Sequence, residues 1–213
     1  LGSNVTPDYK FVREVTITSS TSAPLTLIML DYLLYYPFID GDSTDQQDLD
    51  NTVTLPRYTD GAGVKAFVVA QGGYTGGAQF FFTYTNQDGV SGRMSKLVTS
   101  NTASNTGTLI SGGVTAGAYG WSVPLQQGDY GIRSVENFTF LSANGGIFAL
   151  VLAVDLVTIP YLEASIPCQK NIILENALNM PRVYDGAYLN YLAIPNGSLS
   201  AIPIFGYQKF CWG

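Results

Sequence analysis

A chain of 213 residues with 46% hydrophobic and only 12% charged residues, about half the roughly 25% of an ordinary soluble protein, has the length for one large all-β domain or two small ones and little charge to hold its surface in water. Its net charge of −6 comes from 10 scattered Lys and Arg against 16 Asp and Glu, which argues against nucleic acid as a partner. The absence of His removes imidazole bases, His-containing triads and His metal ligands. Such a surface is best understood if neighbours in an oligomer or larger assembly cover much of it.

The opening LGSNVTPDYK has neither the basic nor the apolar region of a secretion signal. KFVREVTITS, from Lys10, alternates apolar and polar residues, with Phe11, Val15 and Ile17 among its β-formers, and predicts a half-buried strand. Residues 24–39, PLTLIMLDYLLYYPFI, and 147–159, IFALVLAVDLVTI, are the longest apolar runs. Each contains an Asp and falls short of the roughly 18–20 apolar residues of a membrane helix, so both predict buried strands and no membrane partner.

Behind the first run, YYPFIDGDSTDQQDLDN (35–51) gathers Asp40, Asp42, Asp45, Asp48 and Asp50. One reading is a solvated loop with a short helical turn, Ser43 or Thr44 capping against Gln46 or Gln47. A second is a divalent-cation site or subunit contact, with Asp40, Asp42 and Asp45 as the candidate calcium ligands. The spacing is not that of an EF-hand: glycine stands at the second position and Asn51 at the twelfth, where a bidentate Glu is needed. Catalysis by paired carboxylates needs one carboxyl desolvated beside an ionised partner, which a crowd of solvated Asp does not suggest. Asp40, Asp42 and Asp60 are the only candidates an enzyme reading offers, and no enzyme is expected.

Further strands are predicted at 51–55, 63–70, 78–85, 91–99, 107–111, 131–141 and 146–158. TNQDGVSG (85–92) and SANGG (142–146) supply hairpin tips, and Asn196-Gly197 between two apolar segments is the strongest hairpin signal. Residues 99–120, rich in Gly, Ser, Thr and Asn, predict a flexible loop, and NIILENALN (171–179) a second short helix. Cys168 and Cys211 are too far apart for a CxxC motif; two unreactive thiols or a disulfide remain as readings.

The chain also resembles itself. LPRYTDGAGVKAFVV (55–69) and MPRVYDGAYLNYLAI (180–194) share Pro56/Pro181, Arg57/Arg182, Asp60/Asp185, Gly61/Gly186 and Ala62/Ala187 in register, each followed by an apolar strand. Asp-Gly makes a tight turn, and an Arg three residues earlier can reach the Asp carboxylate and tie the turn down. The pair reads as two binding loops or as one β corner used twice. The expected fold is a single all-β domain over 1–213, an antiparallel β-sandwich, jelly-roll-like, with long loops, at most one or two short helices, and pseudo-repeated units around 51–84 and 176–210.

LDYLLYYPFIDGDSTDQQDLDNTVTLPRYTDGAGVKAFV and the closing DGAYLNYLAIPNGSLSAIPIFGYQKFCWG resemble virion structural proteins of tailed bacteriophages. The resemblance covers about a third of the chain and carries over no functional residue. It implies a capsid decoration or cement protein on the virion exterior, assembled in the host cytoplasm, whose partners are the major capsid protein and further copies of itself, as a homotrimer or other homo-oligomer. Tyr (14) and Phe (11) in a weakly charged chain suit such contacts. The alternative is a carbohydrate- or receptor-binding β-sandwich of a fibre or tail, with Tyr, Trp121 and Trp212 stacking on sugars.

Overall fold

The structure, a computed structural model, describes residues 8–20, 24–102, 105–111, 120–161, 163, 166–171, 180–195 and 203–213. Among the described residues the regular elements are strands: β1 (Lys10–Ser19), β2 (Leu25–Asp40), β3 (Gln47–Asp48), β4 (Lys65–Ala70), β5 (Gln79–Asn86), β6 (Arg93–Met94), β7 (Val98–Thr99), β8 (Ile132–Phe140), β9 (Ile147–Tyr161), β10 (Cys168–Asn171), β11 (Arg182–Val183), β12 (Tyr188–Pro195) and β13 (Ile204–Trp212). The molecule is all-β, and the strand pairs with a defined register are antiparallel, as a β-sandwich requires. It divides into two compact units, one formed by the chain up to Tyr32 and from Asp155 onward, the other by Leu33–Val154. The long strands β2 and β9 each run from one unit into the other.

In the Leu33–Val154 unit, β5 pairs with β8 from Phe80↔Phe140 to Asn86↔Ile132; β3 adds to β8, and β6 and β7 add to β5. The alternation of QFFFTYTN turns Phe80, Phe82 and Tyr84 inward, all fully buried. They share a core with Phe138 and Phe140 of β8, Tyr36 and Ile39 of β2, Ala66 and Val68 of β4, and Phe148, Leu150 and Leu152 of β9. Phe138 and Phe140 meet edge to face at 5.0 Å, and Phe140 meets Phe148 at 5.2 Å, so rings from two sheets interlock.

In the other unit β1 is central to its sheet. β13 runs along the whole of one edge, from Lys10↔Trp212 to Ser19↔Ile204, while β10 and β11 pair with separate parts of β1. β12 pairs with the first half of β2, from Tyr188↔Tyr32 to Pro195↔Leu25. Val12, Val15, Ile17, Leu27, Met29, Val157, Ile159 and Tyr161 form the core. The Tyr161 hydroxyl closes one end, accepting from Ser19 N and donating to Ser19 O.

Several expectations change. The β1–β13 register shifts between Val12 and Glu14, a bulge that brings Val12 onto the same side as Val15 and Ile17 and leaves Phe11 only half-buried. Residues 51–55 form turns, because Asp50 Oδ1 accepts from both the Thr52 amide and its hydroxyl. Residues 91–99 hold only the short β6 and β7, and 107–111 contribute a single bridge, Val69↔Leu109. The expected helical turn at 43–51 is absent: Ser43 accepts from Asp45 N in a local turn, and Gln47–Asp48 pairs with β8. Residues 172–179, residues 103–104 and 112–119 of the expected 99–120 loop, and Asn196-Gly197, on which three further expectations fall, lie outside the described residues. The strands flanking Asn196-Gly197 pair with different partners, β12 with β2 and β13 with β1, so they are not the two arms of one hairpin.

Candidate functional site

In the unit carrying both chain ends, β12 and β13 are edge strands, and among the described residues neither has a strand on its outer side. Both are rich in apolar side chains that the core does not absorb. Tyr188 is 65% exposed, Phe205 58%, Tyr207 51% and Trp212 53%. Exposed apolar surface gathered on open strand edges, unlike scattered single residues, marks a surface that meets another molecule.

Between them opens a cleft of about 420 Å³ lined by Ile17, Leu27, Tyr191, Ile204, Gly206 and Gln208 among others. Tyr191 donates its hydroxyl to Gln208 Oε1 at 2.9 Å. Burial pushes the Tyr191 phenol up to about 12, so it stays a neutral donor. Gly206 is required by contact: a Cβ there would run into the carbonyl of Thr16.

YLNYLAIP and IFGYQKFCW, the sequences of β12 and β13, hold one charged residue, Lys209. Its ammonium lies 2.9 Å from Glu14 Oε1 and 5.0 Å from the Tyr207 ring. The hydrogen bond from Lys209, aided by Tyr207 and Gln169, outweighs desolvation and holds the Glu14 carboxyl below its usual range; the Lys209 ammonium is correspondingly raised. The lone charge of the edge is thus neutralised within the chain.

The acidic stretch is organised as turns. Gln47 accepts from Asp40 N at 2.7 Å and donates to Asp40 O at 2.8 Å; Asp40 Oδ1 accepts from Asp42 N at 2.9 Å. Asp48 accepts from Gln46, and bonds from Thr52 lower the Asp50 carboxyl. Asp45 caps nothing itself; its amide binds Ser43. Among the described residues no three His, Cys, Asp or Glu side chains gather to hold a metal ion.

The repeated motif gives two similar corners. Gly61 and Gly186 have φ of 75° and 72°, the left-handed region that favours glycine. Gly61 N donates to Tyr58 O at 2.7 Å and Ala187 N to Tyr184 O at 3.1 Å, and Asp60 Oδ1 accepts from Ala62 N. Asp60 and Asp185 are both exposed. The expected Arg182–Asp185 pairing is replaced: the Arg182 guanidinium lies 3.8 Å from the Tyr9 ring centre and 4.3 Å from that of Tyr184. A planar cation between two rings is better satisfied there than by an exposed carboxylate. Arg57 stands half-buried at the start of the first corner. No disulfide joins Cys168 and Cys211; they face Ile17 and Phe11 at opposite ends of β1, and Cys168 Sγ contacts Pro160 O.

No sequence motif singles out the polar knot found in the other unit. The buried Asp129 carboxylate accepts from Arg93 Nε at 2.8 Å and Nη2 at 3.1 Å, from Tyr84 Oη at 2.6 Å and from Asn86 Nδ2 at 2.8 Å. Burial works to raise its pKa, but the bonds from Arg93, Tyr84 and Asn86 and the Arg93 charge outweigh it and hold the carboxyl at about 2. A carboxylate locked this way pins the 124–131 loop to β5 and β6 and offers no proton for chemistry near neutrality. The signal for the open edge was legible in principle: a single Lys on an otherwise uncharged aromatic strand. No family model, curated protein or solved structure matches the chain.

Proposed function

We propose that this chain is a structural subunit of a larger assembly, a virion structural protein that decorates and cements a bacteriophage capsid by docking on the major capsid protein. The observation that carries the assembly role is the pair of open, aromatic, effectively uncharged strand edges of β12 and β13 flanking an apolar cleft. The resemblance of residues 30–68 and 185–213 to phage virion proteins supplies the particular assembly. Low overall charge supports the same reading, since a surface meant to be covered needs little of its own.

Cement action follows from linkage: a protein that binds the assembled shell and not its separated subunits stabilises the shell by its binding free energy. The test is to add the purified chain to shells stripped of it. Co-sedimentation at saturating stoichiometry with a higher shell melting temperature is expected; no binding and no shift would overturn the reading. The carbohydrate-binding alternative has less support, because Trp121 is engaged by Phe67 at 5.8 Å and Lys65 at 5.2 Å, leaving Trp212 as the exposed indole.

A further inference from the structure

We propose that the open edge of β13 pairs with the β13 edge of a second copy of this chain, antiparallel about a two-fold axis, joining two β1–β13 sheets into one. This rests on the reading of the chain as an assembly subunit and names the partner of that same edge.

Open edges invite pairing unless charge, proline, a bulge or a covering segment blunts them. Between Ile204 and Trp212 there is no proline, and the bulge in this pair falls on β1, at Arg13. The one guarding charge, Lys209, is turned onto Glu14 of the same chain. Among the described residues no strand covers the edge. Among the described residues the edge is therefore long, apolar and unguarded.

Charge selects a copy over a basic neighbour. Each copy carries −6, so two copies repel wherever their carboxylates face each other. On β13 itself the one charge is Lys209, and it is paired with Glu14 of the neighbouring β1, so two acidic copies can meet at this strand without setting carboxylate against carboxylate. A basic partner would gain nothing at this edge and would be drawn instead to the exposed carboxylates of residues 40–50.

The strand is also complementary to itself. A two-fold register centred on Gln208 sets Tyr207 of one copy opposite Lys209 of the other, Gly206 opposite Phe210, and Ile204 opposite Trp212. These are a cation beside an aromatic ring, an aromatic over a glycine, and an apolar pair, all favourable cross-strand combinations. No like charges are placed directly opposite.

The test is sedimentation of the purified chain over a range of concentrations, with two variants. Tyr207→Lys, checked for an unchanged circular dichroism spectrum, puts like charges face to face and is expected to weaken self-association about tenfold or more. Gln208→Cys, in a Cys168→Ser/Cys211→Ser background, places two thiols directly opposite each other on the axis, where a small closing of the cross-strand gap brings them to bonding distance, and is expected to form an intermolecular disulfide on mild oxidation. A chain that stays monomeric, or whose association ignores Tyr207→Lys while Gln208→Cys stays unlinked, would overturn the pairing. Neither of those results touches shell binding, and a dimer that ignores shells would remove only the proposed function.

Discussion

Lys209 Nζ lies 2.9 Å from Glu14 Oε1 across the β1–β13 pair, the carboxylate side chain 7% exposed and the lysine half-exposed. A nearly buried carboxylate is tolerated because its partner is fixed on the neighbouring strand. Lys209→Met strands that charge and is expected to lower the melting temperature clearly, while Glu14→Gln with Lys209→Met recovers much of the loss. Because the folded-state pKa of Glu14 is depressed, the pair's contribution is present above the ordinary carboxylate range and fades as pH falls through the folded value. Melting curves of the single and double variants across pH 3–7, a window of about four units around that range, check both statements.

Asp129 should dominate acid stability in its own unit. Its carboxyl sits at about 2, below the roughly 3.9 of an unfolded chain, so its stabilisation is complete above pH ~5 and is lost as pH falls toward 2. Asp129→Ala leaves Arg93, Tyr84 and Asn86 without their shared acceptor and is expected to cost about 2–4 kcal/mol at neutral pH. The same variant should flatten the acid limb of the stability profile, as read by urea denaturation at successive pH values.

Arg182 tests whether the second corner is held by rings or by a carboxylate. Arg182→Lys loses the guanidinium contacts with the Tyr9 and Tyr184 rings and is expected to cost about 0.5–2 kcal/mol. Asp185→Ala, at an exposed position, should stay within about 0.5 kcal/mol of the parent. Equal losses from the two variants in denaturant titrations would restore the salt-bridge explanation.

Gly61 and Gly131 make the first corner by close approach, joined by the Ala62↔Gly131 bridge. A Cβ on Gly131 would meet the Gly61 carbonyl, and one on Gly61, at φ 75°, would meet the backbone of Ile132 at 2.7 Å. Gly131→Ala and Gly61→Ala are each expected to destabilise by more than about 1 kcal/mol. Gly63→Ala, at φ 74° with open space around its Cβ, should carry only the conformational strain and cost less.

Strands whose pattern is local were legible in the sequence. The strand predicted at 78–85 is Gln79–Asn86, with Phe80, Phe82 and Tyr84 on its buried face, and the continuous apolar runs at 24–39 and 147–159 became the two longest strands, Leu25–Asp40 and Ile147–Tyr161. Where partner choice decides, the sequence was silent. Asn196-Gly197 carries a hairpin signal, yet the strands beside it pair with β2 and β1, because burial of Leu189 on one side and Phe210 on the other is settled by distant core residues. The Asp and Ser residues at 40–52 suit a helix cap and a turn equally; here their oxygens satisfy nearby amides two residues on, which leaves no helix to cap. The bulge at Arg13 has no composition of its own and appears only once β13 is laid beside β1. The composition of β13, one Lys on an aromatic strand, was visible in the sequence, but its place at an edge was not, since a strand becomes an open edge only through what fails to pair with it.

The proposed capsid role is tested most directly by cryo-electron microscopy of phage particles from the source that encodes this chain, with its density sought against every neighbour. Regular copies across the head shell, with β12 and β13 buried against capsid subunits or a second copy, are the expected result. Copies confined to a tail or fibre, absence from the particle, or a shell-bound chain whose β12 and β13 edges face solvent would contradict it.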